Sequence, residues 1–139
     1  MNGWMGKILR VNLSNGEINA EALDPQIARD FVGGRGLAIY YMLKEVDSNC
    51  DALGKENKLI MTTGPLTGTR APTGGRYMVT TKSPLTNAIT CSNSGGYFPA
   101  ELKKSGYDAI IVEGRAAEPV YLWIDNGRAE LRPAGHLWG

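Results

Sequence analysis

Three short glycine-containing stretches hold the residues of this sequence that are best suited to chemistry. Residues 73–76 are Thr-Gly-Gly-Arg, residues 92–96 are Ser-Asn-Ser-Gly-Gly, and residues 33–36 are Gly-Gly-Arg-Gly. Such stretches suit a phosphate, because arginine offers a planar fork of donors and glycine leaves main-chain N–H groups approachable. The alternative is turn chemistry, in which Asn93 caps a following helix and Arg76 is an exposed arginine at a strand end.

The stretch 33–36 does not match a nucleotide-binding fingerprint. A GxGxxG pattern started at Gly34 would need glycine or alanine at position 39, where isoleucine stands. The sequence also has no glycine-rich loop that ends in Gly-Lys followed by Ser or Thr. We therefore predict a turn between two helices at this point.

Side chains that could ligate a metal are scarce. His136 is the single histidine, and Cys50 and Cys91 have neither CxxC spacing nor a nearby histidine. An iron–sulfur cluster needs about four thiolates, so this chain alone cannot supply one. A lone thiol such as Cys91 fits a small buried side chain, and nothing indicates that His136 is a catalytic base.

Composition sets the broad class of the protein. A chain of 139 residues with 42% apolar side chains is expected to form one domain with its own core. Fifteen basic and fourteen acidic residues leave a net charge of +1, which argues against nucleic-acid binding. The first ten residues show no secretory signal, and no apolar run could cross a membrane. We expect a cytoplasmic protein without a disulfide framework.

Two segments with Asn-Gly at their centres predict β-hairpins. They span residues 6–23 and 119–133, with the turns at residues 15–16 and 126–127. The repetition of this plan near both ends of the chain suggests a loose internal duplication.

The rest of the chain predicts a mixture of helices and strands. Helices are expected over residues 25–32, 37–46 and 97–105, and further strands over residues 57–64, 76–82, 87–92 and 107–114. The expected apolar face of the second helix is Leu37, Tyr40, Tyr41 and Leu43. The run 107–114 is continuously apolar at its centre, which is typical of a strand buried on both faces. Since helices and strands do not alternate strictly, the predicted fold class is α+β.

Longer motifs resemble the N-terminal region of the aldehyde ferredoxin oxidoreductase family of tungsten enzymes. The most specific are TGPLTGTRAPTGGR at residues 63–76 and NSGGYFPAELKKSGYDAIIVEG at residues 93–114. GWMGKILRVNLSNGEI, FVGGRGLA and HLWG add to the match, so that the resemblance covers essentially the whole chain.

The resemblance implies a fold and a cofactor. The fold is an α+β domain with two β-sheets in a pseudo-twofold arrangement, lying beneath a tungsten ion held by the dithiolenes of two pyranopterins. A magnesium ion bridges the pterin phosphates, and a 4Fe–4S cluster bound by residues outside this chain passes electrons to ferredoxin. The implied reaction of the full enzyme is oxidation of an aldehyde to a carboxylic acid.

The resemblance also assigns roles to three residues. Arg76 corresponds to an arginine that contacts a pterin phosphate, and Asn93 and Gly95 correspond to turn contacts. The main-chain carbonyl of Asn93 is implied to lie near the magnesium ion. We carry no ligand role onto the glycines of 33–36. If the resemblance holds, Arg76 should lie within side-chain reach of the turn at residues 93–96.

Family members are several times longer than this chain, and their catalytic and cluster-binding segments lie elsewhere. Residues 1–139 are therefore expected to be a cofactor-base domain without catalysis of its own, which acts with the rest of the enzyme. A separately encoded binding or assembly subunit and a structural module without ligand are the alternatives. Homo-oligomerisation is expected, because an uncovered apolar cofactor-side surface tends to find a partner.

Overall fold

The computed structural model describes residues 2–139, which form two β-sheets and three α-helices. In chain order the elements are β1 (Lys7–Asn12), β2 (Ile18–Ala22), α1 (Pro25–Phe31), α2 (Gly34–Glu45), β3 (Lys58–Thr63), β4 (Tyr77–Lys82), β5 (Ile89–Ser94), α3 (Phe98–Lys104), β6 (Ala109–Glu113), β7 (Val120–Asp125), β8 (Arg128–Pro133) and a 3₁₀ turn (Gly135–Leu137). The predicted α+β class with two sheets is confirmed.

Six strands form the main sheet in the order β2-β1-β6-β3-β4-β5. The β1–β6 pair is parallel and the other neighbours are antiparallel. β6 lies inside the sheet, where Ala109 and Ile111 are fully buried and Ile110 is 2% exposed. The prediction of a strand buried on both faces is confirmed for the first part of β6.

Side chains that alternate along the strands divide the core into two clusters. On one face of the sheet, Ile8 and Ile111 pack with Leu37 and Met42 of α2. On the other face, Leu9 and Ile110 pack with α3 and with the hairpin β7–β8. This follows from the two-residue period of a strand, which sends neighbouring side chains to opposite faces. The strands β1, β6 and β3 are thus covered on both sides, whereas β5 is largely exposed.

The predicted apolar face of α2 is partly wrong. The buried residues of the helix are Leu37, Ala38, Tyr41 and Met42. Leu43 is instead 72% exposed. At about 100° per residue Leu43 lies roughly 240° around the helix from Leu37, outside the buried stripe. Tyr40 is half-buried beside Phe31, with their ring centroids 4.7 Å apart.

Both predicted hairpins are present, but their turns differ. At the second hairpin Asn126 (φ 47°) and Gly127 (φ 79°) are both left-handed, which matches a type I′ turn. At the first, only Gly16 (φ 76°) is left-handed, and Asn12 N–H donates to the Glu17 carbonyl at 2.8 Å. β1–β2 lies at an edge of the main sheet, whereas β7–β8 forms the second sheet. The pseudo-twofold arrangement stays a prediction.

A buried ion pair ties the N-terminal segment to the sheet. Lys103 Nζ lies 2.5 Å from Asp108 Oδ1 and donates to the Gly3 carbonyl at 2.7 Å. The Asp108 carboxylate also accepts the main-chain N–H groups of residues 5 and 6. Its main-chain carbonyl accepts both the N–H and the hydroxyl of Thr63 at 2.9 Å. The end of β3 is therefore fixed in place.

Candidate functional site

A cavity of about 410 Å³ lies at the end of the main sheet where β3 ends and β4 begins. Its walls come from four separate parts of the chain, at residues 32–35, at residues 64–67, at residues 73–74 with 76–78, and at Asn93. All three glycine-containing stretches singled out in the sequence thus contribute to one cavity.

The antiparallel pairing of β3, β4 and β5 brings these parts together. Thr63, the last residue of β3, pairs with Tyr77, the first residue of β4. Tyr77 in turn pairs with Ser94, the last residue of β5. The loops that leave β3 and β5 and the loop that enters β4 therefore emerge side by side at the same edge.

Arg76 and Asn93 are in direct contact in this cavity. Arg76 Nη1 donates a hydrogen bond to Asn93 Oδ1, and both residues are exposed. The predicted proximity of Arg76 and the 93–96 segment is confirmed. A guanidinium has five N–H donors, so this bond orients the group and leaves most of its donors for a ligand.

The alternative helix-capping role of Asn93 is wrong. β5 extends to Ser94, two residues beyond the predicted strand end, because it pairs with β4 along its whole length. Helix α3 begins only at Phe98, after Gly96 (φ 84°), and its N-cap residue Tyr97 makes no side-chain capping bond. Asn93 is thus a residue of an edge strand whose side chain is used for Arg76.

Gly95 lies against the loop that carries Arg76. A Cβ atom at this position would lie 3.6 Å from the Gly75 carbonyl oxygen, at ordinary contact distance. Gly95 itself is outside the cavity wall, so the structure places it beside the arginine loop.

Sequence reasoning gave no ligand role to residues 33–36, although residues 32–35 line the cavity. Val32 has φ 61° and ψ −57°, and Gly33 N–H donates to the Phe31 carbonyl at 2.7 Å. This is the rarer, strained form of the γ-turn, and a β-branched residue adopts it seldom. Trp4 Nε1–H donates to the Val32 carbonyl at 2.7 Å. The predicted turn between helices is confined to Val32 and Gly33, because Gly34 already begins α2.

Two glycines form walls where no side chain fits. A Cβ atom on Gly33 would lie 2.7 Å from the Thr63 carbonyl oxygen, and one on Gly74 would lie 2.7 Å from the Leu66 carbonyl oxygen. Both distances are shorter than a Cβ atom tolerates. The glycine pairs in the sequence were the available signal, but they did not reveal which segments pack together.

The electrostatics of the cavity favour an anion. Arg35 and Arg76 line it, and its lining residues within the described chain include no carboxylate. The twelve-residue helix α2 begins at the same place, with Gly33 as an N-cap that offers no side chain. The first N–H groups of a helix carry partial positive charge.

The other candidate residues lie apart from this cavity. His136 is exposed in the 3₁₀ turn, and Cys50 and Cys91 are half-buried free thiols. Across residues 2–139, no group of three or more His, Cys, Asp or Glu side chains is placed to hold a metal ion. In the same range, every helix is too short or too polar to span a bilayer.

Known proteins resemble this chain over its full length. It is 59% identical over 139 residues to the tungsten-containing aldehyde ferredoxin oxidoreductases of Pyrococcus furiosus and Thermococcus kodakarensis. It is 39% identical over 142 residues to the WOR-like subunit of an aliphatic sulfonate oxidoreductase of Pyrococcus furiosus. The alignments include 100% of this chain, which spans 22–23% of the length of these relatives.

A solved structure shares the fold. The active site complex BamBC of benzoyl coenzyme A reductase, in complex with 1,5-dienoyl-CoA, aligns with a TM-score of 0.96 and 38% identity. The alignment covers 98% of this chain and 21% of that chain. In addition, the family model for the N-terminal domain of aldehyde ferredoxin oxidoreductase matches residues 8–139. The chain therefore belongs to the aldehyde ferredoxin oxidoreductase family and corresponds to that family's N-terminal domain.

Proposed function

We propose that this domain is the base on which a tungsten bis-pyranopterin lies in an aldehyde:ferredoxin oxidoreductase-type enzyme. Its cavity at the end of the main sheet binds a phosphate of that cofactor. The observation that carries the proposal is the hydrogen bond between Arg76 and Asn93 in a cavity that Arg35 also lines.

The residues present fit a phosphate-bearing group. Two arginines and the start of α2 supply positive charge, and the lining residues of the described chain carry no carboxylate to oppose it. Gly33 and Gly74 leave bare backbone in the walls, since a side chain at either position would collide with the neighbouring loop. When bound, the cofactor supplies the redox centre for aldehyde oxidation.

Arg76, Asn93 and Gly95 have distinct proposed roles. Arg76 binds the phosphate through the donors that Asn93 does not occupy, as a charge-assisted hydrogen bond. Asn93 fixes the direction of the guanidinium, and its main-chain carbonyl would offer an oxygen ligand to a magnesium ion bound with the phosphate. Gly95 keeps the approach to the Arg76 loop free of a side chain. The Asn93 carbonyl belongs to β5, which is an edge strand, and every second main-chain carbonyl of such a strand points away from the neighbouring strand.

The domain binds cofactor and leaves the substrate to other parts of the enzyme. Its relatives are named for an aldehyde ferredoxin oxidoreductase and an aliphatic sulfonate oxidoreductase, and its structural neighbour for a benzoyl coenzyme A reductase. These names differ in substrate while the fold of the domain is shared. A domain that is shared by proteins named for different substrates fits a role in binding the cofactor.

The remaining machinery of the proposed enzyme lies outside residues 1–139. It includes the ligands of the 4Fe–4S cluster, the groups that act on the aldehyde, and the surface for ferredoxin. The complete enzyme is proposed to be cytoplasmic and to form homo-oligomers. The isolated domain is expected to show no aldehyde oxidation with a viologen dye as acceptor.

A second candidate function is that of a separately encoded cofactor-binding subunit. The relative with 39% identity is itself described as a subunit, which favours keeping this candidate. Metal analysis of the purified chain, alone and together with the products of neighbouring genes, separates the two. Tungsten that appears only with another gene product supports the subunit.

The proposed function is tested by replacing Arg76 in an enzyme that carries this domain. Arg76→Ala should lower the tungsten and pterin content per polypeptide, because a charge-assisted bond of roughly 1.5–3 kcal/mol is lost. Arg128→Ala, at an exposed position in the second sheet, is the matched control. Full tungsten content in Arg76→Ala would contradict the proposal.

A further inference from the structure

Three buried threonines follow one another at the end of β3 and in the loop behind the cavity. Thr62 is fully buried, Thr63 is 2% exposed and Thr67 is 4% exposed. A buried hydroxyl needs a hydrogen-bond partner, because an unpaired one costs free energy. Thr62 is bonded to the first residue of α2, which precedes Arg35, and Thr67 is bonded to the main chain of Arg76.

Thr62 holds the first turn of α2. Its hydroxyl donates to the Gly34 carbonyl at 2.7 Å, a distance typical of a strong O–H···O bond. Gly34 lines the cavity, has φ 50°, and is followed directly by Arg35. The bond therefore fixes the backbone from which Arg35 projects.

Thr67 connects the loop after β3 with the residue before β4. Its hydroxyl oxygen accepts from Gly64 N–H at 3.1 Å, and its hydroxyl donates to the Arg76 carbonyl at 3.4 Å. The second bond is long, so it is weaker than the bond made by Thr62. Thr67 also lines the cavity, and its hydroxyl lies beside the main chain of Arg76.

We propose that Thr62 and Thr67 are positioning residues of the anion cavity. Their hydroxyls hold Gly34 and Arg76 so that Arg35 and Arg76 face the same space. The link to anion binding rests on the proposed function. The fixing of the first turn of α2 and of the Arg76 main chain rests on the hydrogen bonds themselves. Neither hydroxyl needs to touch the ligand.

Valine variants separate this role from packing, because valine has nearly the shape of threonine and lacks the hydroxyl. The test compares Thr62→Val, Thr67→Val and the rescue variant Thr67→Ser with the unmodified chain. Thr80→Val is the matched control, since Thr80 is fully buried in the same sheet and its hydroxyl donates to Cys91 Sγ at 3.3 Å, away from the cavity lining.

Two measurements on ¹⁵N-labelled protein read out the role. The first is amide hydrogen exchange, and the second is an NMR titration with inorganic phosphate. Thr62→Val should speed exchange at residues 37 and 38, the first amides of α2 with a helical main-chain acceptor, and Thr67→Val at residues 64 and 67, whose amides take part in the loop that the Thr67 hydroxyl closes. Each should raise the phosphate dissociation constant roughly 2- to 10-fold, with the larger change for Thr62→Val. Thr67→Ser should restore both quantities, and Thr80→Val should change neither.

The outcomes distinguish this inference from the proposed function. If exchange is unchanged both at the start of α2 in Thr62→Val and in the loop 64–67 in Thr67→Val, the positioning role is overturned, even if phosphate binds. Equally faster exchange at all amides, matched by Thr80→Val, would also overturn it, because a general loss of stability would then explain the result. Failure of the unmodified chain to bind phosphate, with the local exchange changes present, would count against the proposed function and leave the positioning role supported.

Discussion

Charged side chains are paired at one end of the layer formed by α2 and β3 and unpaired at the other, within residues 2–139. Where α2 ends and β3 begins, Glu45 binds Arg10 at 2.6 Å and lies 3.6 Å from Lys58. Where α2 begins and β3 ends, Arg35 and Arg76 are exposed and take part in no ion pair within residues 2–139. One end pairs its cations with carboxylates of the chain, and the other leaves its two arginines without a carboxylate partner among residues 2–139.

The paired end shows what such charges do when their role is structural. Burial alone would raise the pKa of Glu45, but the hydrogen bond from Arg10 and the charges of Arg10 and Lys58 outweigh it and hold that pKa below its ordinary value. Lys58 also binds Glu113 and Arg10 also binds Glu21. These groups are partly buried, so the network connects α2 with four strands, β1, β2, β3 and β6.

The largest stability effect is expected at the paired end. Glu45→Ala should lower the free energy of unfolding by roughly 1.5–3 kcal/mol, because Arg10 and Lys58 lose a charged partner in a partly buried site. Urea unfolding followed by circular dichroism measures the change. Lys104→Ala, which removes an exposed pair with Glu101, is the control and should cost less than about 0.5 kcal/mol. Equal losses in both variants would remove the distinction between structural and surface pairs.

The same end should also give the domain an alkaline limit. Burial, followed by the charge of Glu21, raises the pKa of Tyr41 to about 12. A group whose pKa is raised on folding stabilises the protein fully below its unfolded value of about 10, and this contribution is lost as pH rises towards 12. The midpoint temperature of thermal unfolding should therefore fall less steeply between pH 10 and 12 for Tyr41→Phe than for the unmodified chain. Identical slopes would contradict this assignment.

The depressed pKa of Glu45 acts with the opposite sign. Its contribution is present above the ordinary glutamate pKa of about 4.3 and is lost as pH falls through the lower folded value. The acid limit from Glu45 and the alkaline limit from Tyr41 therefore both arise at the paired end.

A smaller effect is expected at the cavity end, where Val32 occupies the strained γ-turn. Val32→Gly should raise the free energy of unfolding by about 1 kcal/mol, because relief of roughly 1–3 kcal/mol of strain exceeds the entropic cost of glycine. Val46→Gly is the control, since Val46 (φ −113°) is unstrained and should lose stability. Destabilisation of Val32→Gly as large as that of Val46→Gly would show that residue 32 carries no strain.

The smallest stability effect is expected for Arg76. Arg76→Ala removes an exposed guanidinium whose one hydrogen-bond partner among residues 2–139 is Asn93, so the free energy of unfolding should change by less than about 0.5 kcal/mol. Denaturant unfolding of the variant measures this. A loss comparable with that of Glu45→Ala would mean that Arg76 serves the fold and not a ligand.

The sequence predicted the elements better than their packing. Period-two segments and Asn-Gly turns located the hairpins, and Pro25 and Pro99 marked helix starts that the structure retains. Leu43 was placed on the wrong face, because several choices of stripe fitted the apolar residues of α2 and only contact with the sheet decides among them. The short strand at residues 87–92 was misplaced by two residues, since its end is set by pairing with β4.

The candidate site was only half visible in the sequence. Motif resemblance identified Arg76 and Asn93, and their hydrogen bond agrees with it. The contribution of Gly33 and Gly34 depends on the packing of α2 against β3, which joins segments about thirty residues apart and has no local signature. The roles of the buried hydroxyls of Thr62 and Thr67 were equally hidden, because threonine in a strand pattern indicates only a strand and threonine in a loop indicates only a turn.

The central claim is that the cavity at the end of the main sheet binds a phosphate of the pterin cofactor. A crystal structure of a cofactor-loaded enzyme that carries this domain tests it most directly. The account predicts a pterin phosphate oxygen within hydrogen-bond distance of the Arg76 guanidinium, with Asn93 still bound to that guanidinium. A loaded enzyme in which Arg76 faces solvent and both pterin phosphates lie on other segments would contradict it.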